Sequence, residues 1–188
     1  MRIIGGTYRG RVLAEFAGND IRPTADRVKE SLFGILTPRL YDANVLDVFC
    51  GSGNLGIEAL SRMAKYCHFN DVSNASLSVL KKNLEKLKVE PQKVKITHLD
   101  YLQALNATTE KFDIIFLDPP YRFDYGVPAL QVIAKRRLLT EGGVAVYERD
   151  RSFTEKVAGL CKTDERKYGL TYLSFFRYAE EAEAEEEA

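Results

Sequence analysis

Residues 114–123, IIFLDPPYRF, run four apolar residues straight into an acid, two prolines and a tyrosine. Proline fixes φ near −65° and has no N–H, so a Pro-Pro turn is stiff and leaves its carbonyls free to face a ligand. The Asp118 carboxylate and a carbonyl of Pro119 or Pro120 aimed together form a pair of acceptors, which is what the exocyclic amino group of a base needs. Tyr121 adds a flat face on which that base could stack. The plainer reading is a proline turn that merely ends a strand, and a glycine loop upstream weighs against it.

That loop lies in DVFCGSGNLGIEAL, where Gly51, Gly53 and Gly56 match G-x-G-x-x-G between an apparent strand and an apparent helix. Glycines there let backbone approach a ligand and let the helix start tightly. The pattern alone fits a dinucleotide, an adenosyl cofactor or a tight turn. Asp47 lies within the strand, where a buried carboxylate is costly unless it bonds to something polar; it could hold the glycine loop or reach a ligand ammonium. Asp71 ends the next strand, placed either to accept from both ribose hydroxyls or to cap a helix. Asp100, in THLDYL, could accept from an adenine amino group or simply sit in a turn.

The elements that must position these groups alternate along the chain. Residues 44–49, 66–70, 93–97, 112–117 and 143–148 read as short strands rich in β-branched and aromatic residues. Between them, Leu77, Leu80, Leu84 and Leu87 make one apolar helical stripe. Leu130, Ile133, Ala134 and Leu138 make another, with EGG (141–143) suited to stop it. Such alternation predicts an α/β fold with a parallel sheet wound on both faces. Residues 2–13 read as a hairpin, followed by a loop and a helix carrying Val28, Leu32 and Ile35. Residues 166–178 read as a closing hairpin. The expected organisation is an N-terminal extension (1–40), a core (41–178) and an acidic tail (179–188).

A chain of 188 residues, 45% hydrophobic, suits one globular domain. Its zero formal charge is misleading, because residues 180–188 hold six of the 27 acids, leaving 27 bases against 21 acids in the body. That mild excess is compatible with nucleic acid. The tail lacks apolar periodicity and is expected to stay solvated. Three cysteines without C-x-x-C spacing, and no signal-like start, predict a reduced, cytoplasmic protein. No apolar run is long enough to span a bilayer. His68 and His98 lack ligand spacing, so no metal is expected.

The DPPY turn after the fourth strand resembles that of class I S-adenosylmethionine-dependent methyltransferases acting on base amino nitrogens. More closely, RIIGGTYRG, RPTADRVKESLF, LDVFCGSGNLGIEAL and FLDPPY, in that order, resemble the RsmD family of small-subunit ribosomal RNA guanine-N2 methyltransferases over residues 2–178. The resemblance implies a Rossmann-like, mostly parallel seven-stranded sheet closed by an antiparallel C-terminal hairpin. It implies S-adenosyl-L-methionine held by Asp47, Phe49, Cys50, Gly51, Gly53, Asn54, Asp71, Asp100, Tyr101 and Asp118, and the target base held by Asp118, Pro119, Pro120 and Tyr121. The partner implied is ribosomal RNA or the small ribosomal subunit; the chain itself is expected to be a monomer. Recognition would fall to the N-terminal extension, where Arg2, Arg9, Arg11, Arg22 and Arg27 interleave with Tyr8 and Phe16. Three rivals remain. A nicotinamide oxidoreductase would share the glycine loop but has no use for the turn. A DNA or other RNA base amino-methyltransferase (adenine N6, cytosine N4) would share the whole core. A non-catalytic RNA-binding module would not need an intact Asp118 turn.

Overall fold

The computed structural model describes residues 1–15, 23–120 and 123–180. Seven strands form one sheet: β1 (Asn44–Asp47), β2 (Tyr66–Asn70), β3 (Val94–Thr97), β4 (Phe112–Leu117), β5 (Leu139–Arg149), β6 (Leu160–Tyr168) and β7 (Thr171–Tyr178). Their spatial order is β3-β2-β1-β4-β5-β7-β6. The first five run parallel, and β7 pairs antiparallel with both β5 and β6. The expected doubly wound sheet with an antiparallel closing hairpin is therefore present.

Side chains alternate across each strand, so neighbouring residues enter different cores. Val45, Phe116, Val146 and Phe175 face the cluster covered by α1 (Pro23–Leu40), α2 (Asn54–Ser61) and α3 (Asn74–Leu87). Leu46, Ile115 and Tyr147 face the other cluster, covered by α4 (Tyr101–Ala107) and α5 (Gly126–Arg136). Burial on both faces explains why β1 and β4 read as nearly continuous apolar runs. The α3 stripe packs as its spacing predicts, with Leu77, Leu80, Leu84 and Leu87 all buried. The helix starts at Ser73, whose hydroxyl accepts from Ser76 N at 3.2 Å, and ends on Lys88 at φ 54°.

Several boundaries differ from the sequence reading. EGG does not stop α5: Arg137, at φ 52°, does so four residues earlier, and the glycines lie inside β5. Gly142 takes φ 70° where the β4–β5 register shifts between Phe112 and Ile114, so it serves an irregularity in a strand. The closing hairpin begins at Leu160, with Gly169 (φ 62°) in its turn. Residues 2–13 fold back on themselves through a single Arg2–Val12 bridge, with Ile3 N donating to Arg11 O and Leu13 N to Met1 O. Ile3 and Leu13 are buried in the α1–α3 core, so the N-terminal segment is packed on the same core as the sheet. Among the described residues, no helix is long and apolar enough to cross a membrane, and no group of three His, Cys, Asp or Glu residues is placed to hold a metal ion.

Candidate active site

The chain crosses from one face of the sheet to the other between β1 and β4, which are hydrogen-bonded neighbours whose following helices, α2 and α5, lie on opposite faces. A crevice opens at the carboxyl ends of strands at such a point. Here it is a cleft of about 710 Å³ lined by the glycine loop, the strand ends at Asp71 and Asp100, and the turn at Asp118–Pro120.

Carboxylates hold the glycine motif at both ends. Asp71 Oδ2 accepts from Gly51 N at 2.8 Å, and its Oδ1 from Ser73 N at 2.8 Å. Ser73 is the cap of α3, so Asp71 is not, and each of its oxygens keeps a further lone pair for a ligand. Asp47, almost fully buried, accepts from Gly56 N at 3.0 Å in the first turn of α2. Asp47 is not among the residues lining the cleft, and its bond goes to the helix that follows the glycine loop. Burial, then the charge of Asp71, pushes its pKa up to about 7.

The three glycines do different work. Gly51, at φ 53°, faces open space, and a side chain there would meet nothing within 4 Å. Gly56 is where α2 touches the sheet: a Cβ would stand 2.3 Å from Phe69 Cε1 and 2.7 Å from Cys67 Sγ. Gly53 likewise lies off the cleft, pressed toward Leu80. Asn70, fully buried just before Asp71, donates to Val48 O and Leu99 O at 3.1 Å and accepts from Thr97 Oγ1 at 2.8 Å, tying together the ends of three strands.

Four aromatic rings also line the cleft. Phe49 and Tyr101, both expected at the site, lie 5.3 Å apart, and Tyr125 packs on each, parallel to Phe49 and 4.8 Å from Tyr101. Phe123 stacks on Tyr125 at 5.0 Å. Phe123 and Tyr125 escaped the sequence reading, although the every-other-residue aromatics in YRFDY were the available signal. Asp100 caps α4 by accepting from Leu102 N at 2.9 Å and also lines the cleft. Cys50 lines it too, with a buried thiol.

Asp118 follows Leu117, which is in register with Tyr147, so the next position on β5 is Glu148. Burial holds the Asp118 carboxyl well above the usual carboxylate range, and the charges of Glu148 and Asp47 add to the effect. Pro119 is buried and Pro120 exposed, both at the cleft; Tyr121 lies outside the described residues. Of the N-terminal set, Arg2, Arg9, Arg11 and Arg27 are exposed, with Arg2 Nε 3.0 Å from Asp26. Tyr8 is half-buried against the core, and Arg22 and Phe16 lie outside the described residues.

A family profile described as Conserved hypothetical protein 95 matches residues 1–177. The chain belongs to this family. It is 38% identical to the Bacillus subtilis protein YlbH over 182 residues, covering 94% of this chain and 98% of that one. It is 37% identical over 153 residues to the Haemophilus influenzae protein named Ribosomal RNA small subunit methyltransferase D, covering 80% of this chain and 79% of that one. The solved structure of yhhF from Escherichia coli superposes with a TM-score of 0.85 at 32% identity, covering 95% of this chain and 97% of that one. The family recognised in the RIIGGTYRG, RPTADRVKESLF and DPPY motifs is thus the one these comparisons return.

Proposed function

We propose that this chain is an S-adenosyl-L-methionine-dependent methyltransferase acting on the guanine N2 of small-subunit ribosomal RNA. The observation that carries the reading is that the Asp118–Pro120 turn and the glycine loop with Asp71 share one cleft. The residues present fit the cofactor. Gly51 leaves room for a ligand against the loop, Asp71 keeps acceptor capacity for ribose hydroxyls, and Phe49, Tyr101 and Tyr125 offer apolar ring faces to an adenine.

When bound, S-adenosyl-L-methionine supplies an electrophilic methyl group on a sulfonium. The chain's own task is to place an amino nitrogen in line with it, since positioning alone is worth many powers of ten. Asp118 accepts one N–H of the exocyclic amine and a proline carbonyl accepts the other, which turns the nitrogen lone pair toward the methyl. The aromatic wall excludes water. The target base must be unstacked to reach these acceptors. The exposed arginines of residues 1–40 contact phosphates, with residues 41–178 as the catalytic unit. Three free cysteines suit a reducing cytoplasm, and the proposed working form is a monomer.

The test is incubation with labelled S-adenosylmethionine and undermethylated small subunits, followed by mapping of the modified nucleotide. Label on a guanine N2 supports the reading. Label on adenine N6 or cytosine N4 transfers it to another amino-methyltransferase specificity, and no incorporation sinks it.

A further inference from the structure

The N-terminal segment is fastened to the protein at both ends by buried polar side chains that also hold the cleft loop. Near its end, Asn83 of α3, fully buried, accepts from Ala14 N at 2.7 Å and donates to Ala14 O at 3.1 Å. The same amide donates to Ser52 O at 2.9 Å. Near its start, Lys29 of α1, 3% exposed, donates to Arg2 O at 2.6 Å and to Asn54 Oδ1 at 2.8 Å, with the Glu58 carboxylate 3.3 Å away. Glu58, also fully buried, accepts from Ile4 N and Gly5 N at 2.8 Å each. Ser52 and Asn54 flank Gly53 and both line the cleft.

We propose that Asn83 and Lys29 are positioning residues that couple RNA held on the N-terminal segment to the shape of the glycine loop, so that RNA and S-adenosyl-L-methionine bind cooperatively. This rests on the function proposed above. Docking of the segment alone is already served by the buried side chains of Ile3 and Leu13. Burying a lysine, a glutamate and an asparagine adds a desolvation cost that apolar contacts would avoid. What these groups add is a rigid link. Lys29 has three donor hydrogens and three acceptors around it, so a shift of Arg2 breaks a bond or moves Asn54. Asn83 ties Ala14 to Ser52 by the same logic. Between the two fasteners Arg9 and Arg11 stand exposed, where phosphates would pull on the segment.

Coupling between two ligands is reciprocal, and typical values change affinity about 5- to 150-fold. The test measures binding of unmethylated small-subunit RNA at fixed salt, with and without saturating S-adenosylhomocysteine, for the wild type, Asn83→Ala and Lys29→Met. In the wild type the cofactor product should tighten RNA binding about fivefold or more; in the variants the ratio should fall below about twofold. A merely structural role would lower stability or cofactor affinity and leave the ratio at saturation unchanged, which would overturn the proposal. Lys29→Met takes one of two cationic partners from the buried Glu58, leaving Arg62 and the N–H groups of Ile4 and Gly5, and is the variant more prone to misfold. A second measurement therefore uses the unmutated chain: RNA alone should slow amide hydrogen exchange at residues 51–56, and unchanged exchange there refutes the coupling. Failure of the wild type to bind either ligand sinks the function proposed above and this inference with it. Binding of both with a ratio of one sinks this inference alone.

Discussion

Replacing Asp118 by alanine separates the chemistry of the turn from its architecture. Asp118 lies one residue beyond β4, and Pro119 and Pro120 still set the turn without it, so the fold and cofactor affinity should survive. What is lost is one oriented acceptor at the reacting nitrogen. Removal of a single oriented polar group from a reacting centre costs about 3 kcal/mol, or roughly a hundredfold in turnover. The raised pKa of Asp118 adds a second signature. Only the ionised carboxylate is a pure acceptor, so wild-type turnover should fall on acidification at a pH well above that of an ordinary aspartate. Asp118→Asn retains a carbonyl acceptor and does not titrate, so it should be slower than the wild type but flatter with pH. The assay is single-turnover methylation of small subunits across pH by the three proteins, with S-adenosylhomocysteine affinity measured in parallel. If Asp118→Ala turned over normally, the carboxylate would be no more than a strand terminator.

Asp71→Ala should weaken S-adenosylhomocysteine binding by about 1.5 to 3 kcal/mol, the scale of hydrogen bonds to a charged group; equal calorimetric affinity would remove Asp71 from the ribose. Gly56→Ala should lower stability by about 1 to 3 kcal/mol, because its Cβ would stand 2.3 Å from Phe69; an unchanged melting temperature would show that α2 rides up freely. Arg9→Ala should flatten the salt dependence of RNA binding and leave cofactor affinity unchanged, while an unaltered salt slope would take Arg9 off the phosphates. Asp47 has a folded pKa of about 7 against an ordinary 3.8, so its contribution to stability is present below 3.8 and lost as pH rises through 7. Asp47→Asn, whose carbonyl still accepts from Gly56 N, should flatten the decline in stability across that window, and denaturant titrations at pH 4, 6 and 8 would detect a slope that persists.

The central strands were legible because burial on both faces leaves a run of apolar residues that polar surroundings cannot mimic. The β6 edge was not. Its sequence LCKTDERKY buries Leu160 and leaves most of the strand open, so neither alternation nor a continuous run marks it. The end of α5 was misplaced for a different reason: Arg137 adopts a left-handed conformation that glycine normally supplies, and the glycines nearby serve the strand instead. The cleft was legible in part, since Gly51 and the Asp118 turn, singled out by their spacing, both line it. At Asp71 spacing alone left a helix cap open, and it is Ser73, two residues on, that caps α3. Lys29 and Asn83 were invisible as a pair, since their partners lie 25 to 69 residues away along the chain.

The polar residues at the carboxyl edge share a division of labour that explains their cost. Asn70 ties strand ends together, Asp71 holds Gly51 and Asp47 holds the first turn of α2. Gly51 and Gly56 are thus held without a ligand, while Ser52 and Asn54 between them are held through Asn83 and Lys29, so part of the ordering of the loop is shared with the N-terminal segment. Asp118 differs, because its electrostatic neighbours Glu148 and Asp47 are themselves acids. Its ionisation therefore gains most when a donor arrives opposite it, and an amino group brought to the turn would draw the carboxylate toward the charged form that orients that group.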